Sequence, residues 1–133
     1  MAEKINPPSM YDSLQFGFSH AARTTGGTMV HFAGQVAWDK DGNTVGIGDL
    51  AAQAEQVLAN LKTVMDEVGA GVEDLVRIRT YVVDHTPDKL GAVAPAMGAF
   101  FGDAAPPPNT WIGVQALALP DFLIEIEAMA VIA

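Results

Sequence analysis

The chain has 133 residues, half of them hydrophobic, with 7 Lys plus Arg against 16 Asp plus Glu and a formal net charge of −9. That length is one domain's worth and excludes a two-domain dehydrogenase, a full α/β-hydrolase and a (β/α)₈ barrel. The apolar content can fill a core, which excludes wholesale disorder, and an acidic surface repels phosphate backbones and anionic lipid, so neither nucleic acid nor a membrane is expected as partner.

Cysteine is absent. Disulfides, thiolate nucleophiles and Cys-based zinc or iron–sulfur sites are thereby excluded. The opening MAEKINPPSM has no apolar core of a secretory signal, and no run of about 18 apolar residues occurs. The expectation is a soluble cytoplasmic domain.

Residues 1–15 carry Pro7 and Pro8 among polar residues and read as an arm, with a single domain over 16–133. Phe16 to Ala22 and Met29 to Ala33 look extended around Thr24-Thr25-Gly26-Gly27-Thr28, which predicts a β-hairpin. Asp39-Lys40-Asp41-Gly42-Asn43 reads as a second turn. From Asp49 to Val68 apolar residues recur at helical spacing, with Asp49 as N-cap and Gly69 as the C-terminal stop. Val76 to Val83 is β-branched and predicts a strand. Thr86-Pro87 opens a second helix, whose apolar stripe is Leu90, Val93, Ala94, Met97, Phe100 and Phe101. Ala105-Pro106-Pro107-Pro108 forces a stiff extended connection. Thr110 to Val114 and Leu123 to Ile132 are the last two strands.

Two helices among about five strands predict an α+β domain with a mixed sheet, one face of it covered. Ile124, Ile126, Ala128, Ala130 and Ile132 form the helix-facing side of the last strand, and Leu123, Glu125, Glu127, Met129 and Val131 the other. In the strand before, Val76, Ile78, Thr80 and Val82 share one side, and Arg77, Arg79, Tyr81 and Val83 the other. Those second sides mix large apolar groups with charges, a composition that suits packing against further copies, with the arginines offsetting the glutamates.

Three motif-like stretches point to ordinary structure. Gly46-Ile47-Gly48-Asp49-Leu50-Ala51 fits G-x-G-x-x-A, but the acids about 20 residues on, Asp66 and Glu67, fall in the same helix, so the glycines read as a loop. Gly17-Phe18-Ser19-His20 lacks the second glycine of a nucleophile elbow, and neighbours on a strand face opposite ways. His20, His31 and His85 are not at metal-ligand spacing, so no metal is expected. Glu125 and Glu127 are the acids of interest, two carboxylates on one face of an apolar strand. They read either as interface salt bridges or as a group that handles a proton or a water, with burial raising its pKa toward a useful range.

Gly34-Gln35, QAEQVLANLK over Gln53 to Lys62, Val68-Gly69-Ala70, Tyr81-Val82-Val83-Asp84, Phe100-Phe101 and Ile124-Glu125-Ile126-Glu127-Ala128-Met129-Ala130-Val131 occur in order. Over residues 16–132 the chain resembles the Rid family, the reactive intermediate deaminases also called the YjgF family. The resemblance implies a chorismate-mutase-like α+β fold, a homotrimer with clefts between subunits, and hydrolysis of enamines and imines to 2-oxo acids and ammonia without cofactor or metal. It implies that Glu125 orients the attacking water, that Gly34 ends a strand near the cleft, and that Leu90 and Trp111 line it.

Two positions depart from the family pattern. The P-A-R-S/T that supplies a carboxylate-binding arginine reads Pro107-Pro108-Asn109-Thr110, and the aromatic hydroxyl expected near the pocket is Phe18. Asparagine lacks the bidentate, charge-assisted contact of arginine. The resemblance is therefore to an arginine-lacking branch, with Asn109 and Thr110 hydrogen-bonding the substrate and Trp111 with Phe18 shaping the cleft. The expected activity is imine or enamine hydrolysis or related proton transfer. The alternative is a non-catalytic metabolite-binding or chaperone-like trimer.

Overall fold

The computed structural model describes residues 2–133, which form eight strands and helices with two short 3₁₀ turns. In chain order the elements are β1 (Glu3–Ile5), β2 (Ala21–Arg23), β3 (Thr28–Gln35), α1 (Leu50–Val68), β4 (Leu75–Val83), α2 (Asp88–Phe101), β5 (Asn109–Val114) and β6 (Ile124–Ile132). The 3₁₀ turns are Leu14–Phe16 and Val72–Asp74. The main sheet has the order β3-β6-β4-β5. Its β4–β5 pair is parallel and the other two pairs are antiparallel. The parallel pair needs a crossover, which α2 supplies. This is the expected mixed α+β architecture.

The expected hairpin does not form. β2 pairs with β1 in a separate two-stranded sheet, while β3 joins β6 at the edge of the main one. Gly26 and Gly27 do reverse the chain, at φ 69° and 85°, but they pass it between two sheets. The cause lies upstream in Asn6. Its Oδ1 accepts from the His20 N–H at 2.9 Å and from the Ser13 hydroxyl at 3.2 Å, and its Nδ2 donates to the Ser19 hydroxyl at 3.3 Å. Ser13 and Ser19 are buried, and residues 13–20 fold around this amide. Only Ala21–Arg23 is left extended, and it pairs with the N-terminal segment.

α1 begins where Asp49 accepts from the Ala52 N–H at 3.1 Å and ends at Gly69, φ 75°. Its Ala54, Val57, Leu58, Leu61 and Met65 are buried against the sheet. Burying each larger one contributes about 1.5–3 kcal/mol. The fully buried Gln53 ties two loops to this helix, the one before α1 and the one between β5 and β6. Its Nε2 donates to the carbonyls of Gly46 (3.1 Å) and Asp121 (2.8 Å), and its Oε1 accepts from the Leu123 N–H (2.9 Å). Two turns further on, Asn60 donates to the carbonyls of Val36 (2.9 Å) and Trp38 (2.8 Å), anchoring the end of β3 to the same helix.

The two sides of β6 are as expected: Ile124, Ile126, Ala128 and Ala130 are buried under the helices. The start of β4 differs. A register shift between Leu75 and Arg77 turns Leu75 into the core in place of Val76. From Ile78 onward the expected alternation holds. α2 also departs from its expected stripe. Val93, Met97 and Phe101 are buried, whereas Leu90 and Ala94 stay exposed. Pro95 lies inside this helix and offers no N–H to the Gly91 carbonyl.

Candidate functional site

The residues singled out from sequence fall into two groups on opposite faces of the main sheet. In register, Asn109 sits beside Ile78 and Trp111 beside Thr80, both on the helix side. Thr110 sits beside Arg79, and Tyr81 beside Glu125, both on the uncovered side. One chain therefore places Asn109 and Glu125 on opposite faces.

On the helix side a cleft of about 440 Å³ opens between α2, the start of β5 and the 3₁₀ turn at Leu14–Phe16. Leu90, Asn109 and Trp111 line it, together with Phe16, Gly91 and Phe101. The Asn109 Oδ1 accepts from the buried Thr80 hydroxyl at 3.2 Å. The Trp111 indole N–H donates to His85 Nδ1 at 3.2 Å. Phe18 is adjacent rather than lining. Its ring meets Tyr11 and His20 edge-on, with centroids 6.4 and 6.0 Å apart. His20 in turn bonds the Tyr11 carbonyl at 2.9 Å. The lip formed by Leu14 to Gly17 was missed, because those residues were read as arm and strand. Asp12, which accepts from the Leu14 N–H at 3.1 Å, and Gly17, at φ 83°, are the sequence marks of that turn.

On the uncovered side Glu125 and Gly34 are neighbours. A Cβ built on residue 34 would lie 2.8 Å from Glu125 Cδ, so glycine is what leaves room for the carboxylate. Burial, and then the charge of Glu127, push the Glu125 carboxyl above its ordinary pKa. Glu127 is differently placed. It accepts from the Tyr81 hydroxyl, and Arg79 Nη1 stands 3.7 Å from its Oε1. The bond to Glu127 raises the Tyr81 pKa. The two glutamates are thus distinguished: Glu127 has two partners, and Glu125 has a partly buried carboxyl beside a like charge. A hollow of about 120 Å³ between His31, Arg77, Glu127 and Met129 continues this face. Among the described residues no three His, Cys, Asp or Glu cluster as metal ligands, and no helix is long and apolar enough to cross a membrane.

The sequence profile of the Endoribonuclease L-PSP family matches residues 13–132. A RutC family protein, slr0709 of Synechocystis sp., is 36% identical over 101 residues, covering 75% of each chain. Among solved structures, the YyfB protein of Yersinia pestis, described as a protein of unknown function of the conserved Rid protein family, is 54% identical. It covers 98% of both chains at a TM-score of 0.95. E. coli TdcF with bound serine is 26% identical, covering 83% of this chain and 85% of its own, at a TM-score of 0.71. A family match across nearly the whole chain, and a fold shared over its full length, make the chain a member of the Rid (YjgF) family.

Proposed function

We propose that the protein hydrolyses the imine or enamine of a small metabolite in clefts completed by a neighbouring copy, with Glu125 as the group that handles the water. The observation that carries this reading is the environment of Glu125. Its carboxyl is held above the ordinary pKa by burial and by Glu127, beside a glycine that keeps space open in front of it. Such a group can accept a proton from water and return it. Water adds to the C=N carbon, forming a C–O bond as the π electrons move to nitrogen. Glu125 takes one proton from that water and passes a proton to the nitrogen. Glu125 then takes the carbinolamine O–H proton and delivers it to the nitrogen as the C–N bond breaks and the C=O bond forms, leaving a carbonyl compound and ammonia. No cofactor or metal enters these steps.

Asn109 and Glu125 cannot serve one substrate within a single chain, since they face opposite ways. The homotrimer that family membership suggests resolves this by setting the uncovered face of one copy against the cleft of the next. The exposed Met29 and the half-buried Tyr81 and Met129 on that face suit such packing. RNA cleavage, which the family's name suggests, fits the −9 charge poorly.

A second reading, a metabolite-binding trimer without turnover, is favoured by the asparagine at position 109. Ammonia release from imines generated in situ separates the two. Accelerated release that Glu125→Gln abolishes supports hydrolysis, and no acceleration on any imine supports binding alone.

A further inference from the structure

The cleft on the helix side points to a class of ligand. Resting on the reading of that cleft as the substrate site, we infer that it selects an uncharged, largely apolar molecule bearing one hydrogen-bond acceptor, such as a carbonyl or imine, and rejects carboxylates. Three observations carry this.

Among the described residues of one copy no lysine, arginine or histidine lines the cleft; its walls include Leu90, Phe101, Trp111 and Phe16, with Gln15 and Asn109 as the polar side chains. A carboxylate entering such a wall loses its hydration and gains no partner charge. Arg79, which a neighbouring copy would bring toward the cleft on its uncovered face, already has Glu127 at 3.7 Å to offset its charge. The net charge of −9 adds a long-range repulsion of anions.

Of the two polar side chains in the cleft, Gln15 and Asn109, the second has a fixed sense. The Thr80 hydroxyl occupies Asn109 Oδ1, which orients the amide and leaves its NH₂ as donor. The Trp111 indole N–H is already given to His85. The cleft therefore presents a side-chain donor to an acceptor atom on an otherwise apolar ligand.

The volume, about 440 Å³, accommodates a ring and a short substituent. Gly91 helps to keep it open. A Cβ there would meet nothing within 4 Å, and its backbone does not take the left-handed conformation. A larger side chain at position 91 would fill the cleft without straining the helix.

The test uses two probes of one shape, phenylacetamide and phenylacetate, titrated into the purified protein by calorimetry. Phenylacetamide should bind at least about tenfold tighter than phenylacetate, a difference of about 1.4 kcal/mol. Asn109→Arg should reverse the preference. Gly91→Leu should abolish binding of both while the melting temperature holds. Equal or tighter binding of phenylacetate to the unaltered protein overturns the inference, as does binding of neither probe at millimolar concentration. Arg79→Ala that weakens phenylacetate alone would show a cation reaching the ligand and would also overturn it. Glu125→Gln tests the hydrolytic reading by itself. The hydrolytic reading fails separately, if that variant retains turnover.

Discussion

Gly34 and Glu125 meet across the β3–β6 pair so closely that residue 34 has no room for a methyl group unless the carboxylate moves. The obstructing atoms are the end of a flexible side chain, so the fold can yield cheaply while the position of the carboxylate cannot be kept. Gly34→Ala should therefore leave the melting temperature within a few degrees and reduce turnover by at least about tenfold through kcat. Intact activity would mean that Glu125 needs no defined position.

The raised pKa of Glu125 makes a prediction about stability against pH. The folded chain holds this proton at pH values where the unfolded chain has released it. The folded state thus binds more protons between the ordinary carboxylate value of 4.5 and the raised one, and stability falls as pH rises through that window. Glu125→Gln removes the effect. It should melt higher than the unaltered chain at neutral pH, and the gain should vanish below the ordinary carboxylate pKa. Equal melting curves at neutral pH would contradict the assigned cause. Calorimetric scans across that range are the check.

Gln53 satisfies three backbone groups from one buried side chain. Gln53→Leu keeps much of the volume and removes all three bonds. The expected loss is about 2–4 kcal/mol of folding free energy, read from urea unfolding. A loss under 1 kcal/mol would mean that water replaces the amide.

Asn109→Arg should convert the cleft toward carboxylate-bearing substrates. A guanidinium paired with a carboxylate through two parallel bonds contributes about 2–3 kcal/mol, or about 30- to 150-fold on the iminoacid of a simple amino acid. Arg79→Ala is the control. If the unaltered protein is already fast on that iminoacid and Arg79→Ala abolishes it, the charge lies at Arg79 and Asn109 is not a lost anchor.

Much of the frame was legible because it rests on local physics. The spacing from Leu50 to Val68, the cap at Asp49 and the stop at Gly69 define α1 without tertiary help. The alternation of Ile124 to Ile132 separates a helix side from a charged side, and so separates Glu125 from the core. The failures are long-range. The pairing of β2 depends on Asn6, whose partners lie 7 to 14 residues away. The bulge that brings Leu75 inward leaves Val76 as the extra residue of β4, which shows only in the pairing with β6. Candidate site residues were found one by one, but their division between two faces needed the sheet register. A strand's parity says which residues share a side, not which sides of two strands coincide.

The most direct test of shared clefts is complementation between two damaged chains. Gly91→Leu blocks the cleft and keeps Glu125; Glu125→Gln keeps the cleft and loses the carboxylate. Each alone should be inactive on an imine that the unaltered protein hydrolyses. Unfolded together in equal amounts and refolded, they should assemble at random. If each cleft takes its carboxylate from the next copy, about a quarter of the clefts pair an intact cavity with an intact Glu125. Recovery of about a quarter of the ammonia-releasing activity is the predicted result; a mixture as inactive as its two components would contradict it.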